Sequence, residues 1–165
     1  MTQGIPEEQS VQDVPDLEIR TRAELRAWLE ANHAMHGPVW LVTYKKSHPD
    51  YLSYDAIVEE ALCFGWIDST ARALDADRSK LYFRQRKPGS NWSGLNKRRV
   101  EALEAAGLMT DAGRAAIERA KQDGTWTILD DVEALVMPPD LVALFDANPE
   151  AKAHFEAYPR SAKMG

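Results

Sequence analysis

At 165 residues, with 44% hydrophobic content and a net charge of −6, the chain is long enough to bury one core and fits a single domain. No apolar stretch approaches the roughly 20 residues that span a bilayer, and residues 1–20 are acidic without an apolar run, which excludes a standard secretory signal there. Cys63 is the one cysteine and cannot form an internal disulfide. We therefore expect a soluble, cytoplasmic protein with a flexible acidic tail over residues 1–20 and one domain over residues 21–163.

The first half of the domain predicts two helices separated by a strand. Thr21 and Glu24 form a capping-box pattern, which predicts a helix from about 22 to 34. Residues 38–46 (PVWLVTYKK) are rich in strand-forming side chains. Ser53 can then cap a second helix, which Gly65 ends.

A β-hairpin is predicted next, with strands at 66–74 and 80–86 and a connection at 75–79. If Leu74 pairs with Lys80, the same register sets Arg72 opposite Tyr82, Thr70 opposite Arg84 and Asp68 opposite Arg86, all on one face. A slip of one residue would destroy that arrangement.

The second half of the chain is predicted to be helical. Ser93 caps a helix that ends near Gly107, and Thr110 begins another that ends near Gly124. Further helices are predicted at 138–147 and 149–158, whereas 126–131 carries no clear pattern. The fold class is therefore α+β, with a small antiparallel sheet, including the hairpin at about 66–86, flanked by several helices.

Basic residues are concentrated in one stretch of the chain. Eight of them and no acidic residue lie between 78 and 99, whereas the rest of the chain holds 12 basic and 26 acidic residues. These eight are Arg78, Lys80, Arg84, Arg86, Lys87, Lys97, Arg98 and Arg99. A patch of one sign attracts anions, so this stretch is the place to look for a negatively charged ligand.

The loop at 87–93 (KPGSNWS) enters a predicted helix, and a helix N-terminus presents free N–H groups to an anion. In the alternative interpretation, Ser93 caps its own helix, Trp92 fills the core, and Lys97 and Arg98 pair with Glu101 and Glu104. For Lys97 and Arg98 we favour the second interpretation. The loop resembles a Walker phosphate loop only superficially, because Leu95 and Asn96 replace the required Lys and Ser or Thr.

Two residues are weak candidates for catalysis. On a helical wheel Cys63 falls with Glu59 and Glu60, off the apolar face, near a helix C-terminus where the dipole disfavours a thiolate. Asp68 could act as a general base, but pairing with Arg86 would make it a structural anchor. His33 and His36 lack a third ligand at metal spacing, so we predict neither a metal nor a cofactor.

Several long segments together resemble one known family. They are VWLVTYKK at 39–46, EEALCFGWIDS at 59–69, FRQRKPGSNWSGLNKRRVEAL at 83–103, GLMTDAGRAAIERAKQDGTW at 107–126 and PPDLVALFDANPEAKAHFEAYPRSAK at 138–163. Over residues 20–163 the sequence resembles the YdeI/OmpD-associated, or bacteriocin-protection, family. The resemblance implies a link to bacterial resistance against antimicrobial peptides or bacteriocins and to an outer-membrane porin. It implies no reaction and no catalytic residue set.

Three functions remain open. The first, which we favour, is a non-catalytic module that binds an anionic small molecule or an acidic protein segment. Its expected binding residues are Trp66, Asp68, Tyr82, Arg84, Arg86, Lys87, Ser90, Asn91, Trp92, Ser93 and Asn96. The second is a small enzyme that uses Asp68 or Cys63 with an arginine anion clamp. The third, single-stranded nucleic-acid binding, is disfavoured by the acidic remainder and a pI near 5.2.

Overall fold

A computed structural model describes residues 13–163, which form one four-stranded sheet and eight helices. The strands are β1 (Asp16–Glu18), β2 (Val39–Tyr44), β3 (Trp66–Ala73) and β4 (Arg78–Gln85). The helices are α1 (Arg22–Asn32), α2 (Tyr54–Cys63), α3 (Gly94–Ala105), α4 (Asp111–Asp123), α5 (Asp130–Glu133), α6 (Pro139–Ala147), α7 (Pro149–Ala157) and α8 (Arg160–Lys163). The predicted α+β class is confirmed.

The sheet has the order β1-β2-β4-β3 and is mixed rather than purely antiparallel. β1 runs parallel to β2, with Leu17 opposite Leu41. The expected tail is therefore wrong for this segment, since Val14 and Ile19 on either side of β1 are buried. A strand of three residues among acidic side chains is too short to show an alternating hydrophobic pattern, so the sequence does not predict β1. Its pairing with β2 holds it in the sheet. The rest of the predicted tail, residues 1–12, lies outside the described residues.

Helices α1 to α4 pack around one apolar core that includes one face of the sheet. Leu41 and Phe83 on adjacent strands are fully buried on that face. The helical core residues include Leu25, Leu29, Ile57, Leu62, Val100, Leu103 and Ile117. The opposite face of the sheet carries Tyr82, whose ring lies edge-on to Trp40 at 5.2 Å between centroids. The core therefore lies on one side of the sheet, where the helices meet it.

Four helices begin where their capping residues predict. The side chains of Thr21, Ser53, Ser93 and Thr110 each accept a hydrogen bond from the backbone N–H three residues later. Such caps satisfy backbone donors that the helix itself leaves free. The predicted boundaries of these helices agree with the structure to within two residues.

Helix α4 lies very close to the end of α2. The Thr110 hydroxyl donates to the carbonyl of Cys63 at 2.5 Å, which ties the two helices together. A Cβ atom added at Gly113 would lie 2.7 Å from the carbonyl oxygen of Leu62. Glycine at this position is therefore required by the close approach of two backbones.

A buried ion network joins α1 to α2. Glu60 is 1% exposed, and its carboxylate receives Arg22 Nε at 2.6 Å and Arg26 Nη1 at 3.0 Å. The helical wheel predicts that Glu60 lies off the apolar face of α2, whereas the structure buries it. Two arginines from another helix permit its burial, because together they satisfy both carboxylate oxygens.

Beyond α4, the described residues form four helices, α5 to α8, joined by turns. α6 and α7 pack on one another through Phe145 and Phe155, whose ring centroids are 5.1 Å apart. The unassigned segment at 126–131 contains the start of the short helix α5. None of the helices in residues 13–163 is long and apolar enough to cross a membrane.

Candidate functional site

A small open cleft lies between the loop after β4 and helix α4. Its volume is about 220 Å³, including the space at its mouth. The loop contributes Arg86, Lys87, Pro88, Gly89, Ser90 and Trp92, and the α4 side contributes Ala116, Arg119, Ala120, Asp123 and Thr125. The cleft thus contains four of the predicted binding residues, namely Arg86, Lys87, Ser90 and Trp92.

Arg86 is a buried cation on the wall of this cleft. It is only 6% exposed, and its guanidinium lies 3.8 Å from the ring centroid of Trp92. Nη1 donates to the carbonyl of Asn91 at 3.2 Å, whereas Nε is buried without a hydrogen-bond partner. Burial lowers the pKa of Arg86 to about 10, although the negative charge of Asp68 opposes that shift. No carboxylate in residues 13–163 lies within 4.0 Å of this guanidinium.

Three further charged side chains line the cleft. Lys87 and Arg119 are exposed cations, and Asp123 is an exposed carboxylate at the end of α4. Asp123 accepts hydrogen bonds from Thr125 N at 2.9 Å, Thr125 Oγ1 at 2.6 Å and Gly89 N at 3.3 Å. The hydrogen bonds from Thr125, and to a smaller extent the bond from Gly89, lower the pKa of Asp123. Its carboxyl group is therefore ionised at neutral pH. Among the described residues, none of the cleft's charged side chains forms an ion pair.

The N-terminus of α3 does not provide the open anion site that the loop pattern predicted. Ser93 Oγ accepts from Asn96 N at 3.2 Å, and Gly94 N donates to Glu133 Oε2 at 2.8 Å. Arg160 binds the backbone carbonyl of the same Glu133. An internal carboxylate therefore occupies the position where an external anion was expected. The sequence contains no local sign of this, because Glu133 lies far along the chain.

The predicted register of the hairpin is wrong. Arg72 pairs with Lys80 rather than Tyr82, and a bulge between residues 68 and 71 then brings Asp68 opposite Phe83. Asp75 Oδ1 accepts from Arg78 N at 2.7 Å, which tightens the turn and extends β4 back to Arg78.

The corrected register separates the residues expected on one face. Asp68 pairs with Phe83 and Arg84 pairs with Ile67, so Asp68 and Arg84 lie on opposite faces. Tyr82 and Arg84 belong to the face away from the core, and Arg84 Nε is buried there without a partner. Trp66 is fully buried in the core, and its indole donates to the carbonyl of His33 at 3.2 Å. These three residues do not line the cleft.

Asp68 and Asn96 belong to a second polar cluster. The Tyr54 hydroxyl donates to Asp68 Oδ2 at 2.8 Å, and the hydroxyl's burial together with this bond raises the pKa of Tyr54 to about 12. Arg99 donates to Asn96 Oδ1 at 3.0 Å and to Asp55 Oδ1 at 2.5 Å. Asp68 thus does not form the expected ion pair with Arg86, although its charge still acts on that guanidinium.

Much of the basic stretch is neutralised by partners from elsewhere in the fold. Arg78 pairs with Asp75 and Glu18, Lys80 with Asp16, Lys97 with Asp130, and Arg99 with Asp55. The predicted pairing of Lys97 and Arg98 with Glu101 and Glu104 is wrong, since Glu104 binds Arg114. Within residues 13–163, the members left without an ion pair are Arg84, Arg86, Lys87 and Arg98, two of which line the cleft.

Cys63 is fully buried in the core rather than off the apolar face. Burial is the main cause that raises the pKa of its thiol, and the nearby charge of Glu60 raises it further. A raised pKa disfavours the nucleophilic thiolate. In the part of the chain that the structure describes, no group of three or more His, Cys, Asp or Glu side chains could hold a metal.

Arg119, Asp123 and Thr125 complete the cleft, and sequence reasoning missed them. Ala116 and Ala120 recur at the spacing of one helical face and leave room beside Trp92. Arg119 and Asp123 follow them at the same four-residue spacing. Small residues next to charged ones on one face of α4 were the sequence signal for this side of the cleft. No local sequence pattern indicated that α4 packs beside the loop after β4.

One family match covers most of the chain, including most of the residues that line the cleft. Residues 17–116 match the model of a family described as a domain of unknown function, DUF8412, which is more than half of the 165 residues. The chain belongs to this family. The DUF8412 segment contains the sheet, the loop after β4 and the start of α4, and so includes Arg86 and Trp92. Arg119 and Asp123 lie just beyond it.

A second match covers the C-terminal helices. Residues 134–165 match the model of the family described as bacteriocin-protection, YdeI or OmpD-associated. The predicted resemblance is confirmed in this segment, whereas most of residues 20–163, to which it was assigned, falls in the DUF8412 match. No curated protein and no solved structure matches the chain.

Proposed function

We propose that this protein is a non-catalytic module that binds a small anionic ligand in the cleft between the loop after β4 and α4. Arg86 supplies the central positive charge, and Lys87 and Arg119 strengthen the field at the mouth. The proposal is narrower than the site expected from the sequence, because it omits the hairpin face and the N-terminus of α3.

The observation that carries the proposal is the burial of Arg86 without a carboxylate partner. Burying a charge costs on the order of several kcal/mol, and folded proteins normally offset that cost with an ion pair. Arg22 and Arg26 illustrate the usual solution, because both pair with Glu60. Arg86 instead has the ring of Trp92 and one backbone carbonyl. A bound anion would supply the missing counter-charge.

The cleft favours binding over the catalytic alternative. Neither Cys63 nor Asp68 lines it, and Asp68 is hydrogen-bonded to Tyr54 in the neighbouring cluster. The side chains that do line it can hold and orient an anion by charge and hydrogen bonds. The family match of the C-terminal helices supports a role in protection against bacteriocins, in which the bound anion would be the ligand of a binding module.

The test is a titration with inorganic phosphate, sulfate and acetate against a chloride background of constant ionic strength. Thermal unfolding and isothermal calorimetry both report the binding. We expect a saturable rise in melting temperature, because a ligand that binds the folded state stabilises it. Lys87→Ala and Arg119→Ala should weaken the effect, since both side chains are exposed and their loss leaves the core intact.

Lys46→Ala is the matched control, because Lys46 is also exposed, carries the same charge and does not line the cleft. Its removal should leave the ligand-dependent shift unchanged. If none of the three anions produces a saturable shift, or if Lys46→Ala weakens binding as much as Lys87→Ala, the proposed anion site is wrong.

A further inference from the structure

The cleft carries a fixed negative charge as well as its positive charges. From this we infer that its ligand is a small zwitterion, with an ammonium group that binds Asp123 and an anionic group that binds near Arg86. This inference rests on the proposed function, since it adds a second binding group to the same site. Free amino acids are the simplest ligands of this class.

The first support is the arrangement of charges. Arg86, Lys87, Arg119 and Asp123 line one cleft of about 220 Å³, yet among the described residues no two of them approach within 4.0 Å as an ion pair. The carboxylate of Asp123 is bonded to Thr125 and to Gly89 N instead of to one of these cations. The cleft therefore presents separate positive and negative positions.

The second support is the way in which Asp123 is held. Two bonds from Thr125 engage its Oδ1, and Gly124 turns the chain there with a φ of 84°. Its Oδ2 receives only Gly89 N, at a long 3.3 Å, so that oxygen keeps acceptor capacity for a ligand. An ionised carboxylate in this position would repel a ligand that carried only negative charge, whereas it attracts an ammonium group.

The third support is the apolar part of the lining. Ala116, Ala120 and Trp92 line the cleft together with the charged side chains. A short aliphatic chain with a charge at each end matches a lining that is partly charged and partly apolar.

The test compares three probes with the same carbon chain: butyrate, butylamine and γ-aminobutyrate. Calorimetry at neutral pH measures each affinity, and glycine, β-alanine and 5-aminovalerate then vary the distance between the charges. We expect the zwitterion of matching length to bind about tenfold or more tighter than butyrate, the gain of one charge-assisted hydrogen bond. Butylamine should bind weakly, because the cleft is positive overall.

Asp123→Asn removes the negative charge and should reverse this preference: the zwitterion binds about tenfold more weakly and butyrate binds more tightly. Glu118→Gln is the matched control, because it removes one negative charge from an exposed position of α4 that does not line the cleft. It should retain the preference for the zwitterion. If Asp123→Asn strengthens butyrate and zwitterion binding alike, Asp123 is a source of repulsion and the inference is overturned.

The outcomes separate this inference from the function on which it rests. Equal binding of butyrate and every zwitterion overturns the inference and leaves anion binding intact. Binding of butylamine in preference to butyrate, or no binding of any probe or of phosphate, overturns both. Loss of zwitterion binding in Asp123→Asn, with retention in Glu118→Gln and Lys46→Ala, supports both.

Discussion

The guanidinium of Arg86 lies over the ring of Trp92 at 3.8 Å from the centroid, and both side chains are almost completely buried. A cation in contact with the face of a tryptophan ring gains about 0.5 to 2 kcal/mol. That gain is smaller than the cost of burying an unpaired charge. Arg86 is therefore a residue whose position costs stability, as is common for residues retained for binding.

This relationship predicts that Arg86→Met abolishes anion binding without a large loss of stability. Methionine replaces the buried length of the side chain and needs no counter-charge, so the free energy of unfolding should stay within about 1 kcal/mol of the parent value or rise. Urea unfolding and phosphate calorimetry measure the two effects. A stability loss above about 3 kcal/mol would show that the cation is part of the structural framework.

Glu133 is predicted to stabilise α3 from outside that helix. Glu133→Ala removes the carboxylate that accepts from Gly94 N and should lower the free energy of unfolding by about 0.5 to 2 kcal/mol. Asp131→Ala removes the same charge from an exposed position in the same short helix. Chemical denaturation of both variants separates the contact from the charge, and equal effects would contradict the role of Glu133.

Gly113 is predicted to be intolerant of any side chain. A Cβ atom there would meet the carbonyl oxygens at the end of α2, including that of Leu62 at 2.7 Å. Gly113→Ala should therefore cost more than about 2 kcal/mol, because two backbones must separate. Gly37→Ala is the control, since a Cβ at Gly37 would meet no atom within 4 Å. Thermal unfolding of the two variants side by side measures the difference.

The Tyr54–Asp68 hydrogen bond predicts a pH dependence at the alkaline end. Tyr54 has a pKa of about 12 in the folded protein, whereas its ordinary value is 10.0. Burial is the larger cause of that rise, and the hydrogen bond to Asp68 is the second. Since the unfolded chain releases this proton first, the contribution to stability is complete below pH 10 and is lost as the pH rises toward 12.

Asp68→Asn removes the charge that disfavours the tyrosinate and should lower the pKa of Tyr54, while burial keeps it above its ordinary value. The ultraviolet absorbance of tyrosinate, compared with Tyr54→Phe to identify the signal, measures this shift. An unchanged titration of Tyr54 in Asp68→Asn would show that the hydrogen bond does not form in solution.

Helix positions could be predicted from the sequence because their determinants are local. Thr21, Ser53, Ser93 and Thr110 each cap a helix by a bond to a residue three positions away, so the pattern and the contact lie in the same short segment. The α+β class, the hairpin and the resemblance of the C-terminal helices followed from similarly continuous signals. The excess of positive charge around Arg86, Lys87 and the loop after β4 was also visible, because it lies in one stretch of the chain.

The tertiary structure alone decided which of these charges remain available. Lys97 and Arg99 are neutralised by Asp130 and Asp55, and Glu133 fills the N-terminus of α3. The bulge in β3 separates Asp68 from Arg84, and α4 brings Asp123 to the loop after β4. All of these contacts join residues distant in the sequence, whose approach depends on how helices and strands pack. Sequence patterns determine local conformation, but the charge of a site depends on which distant partners reach it.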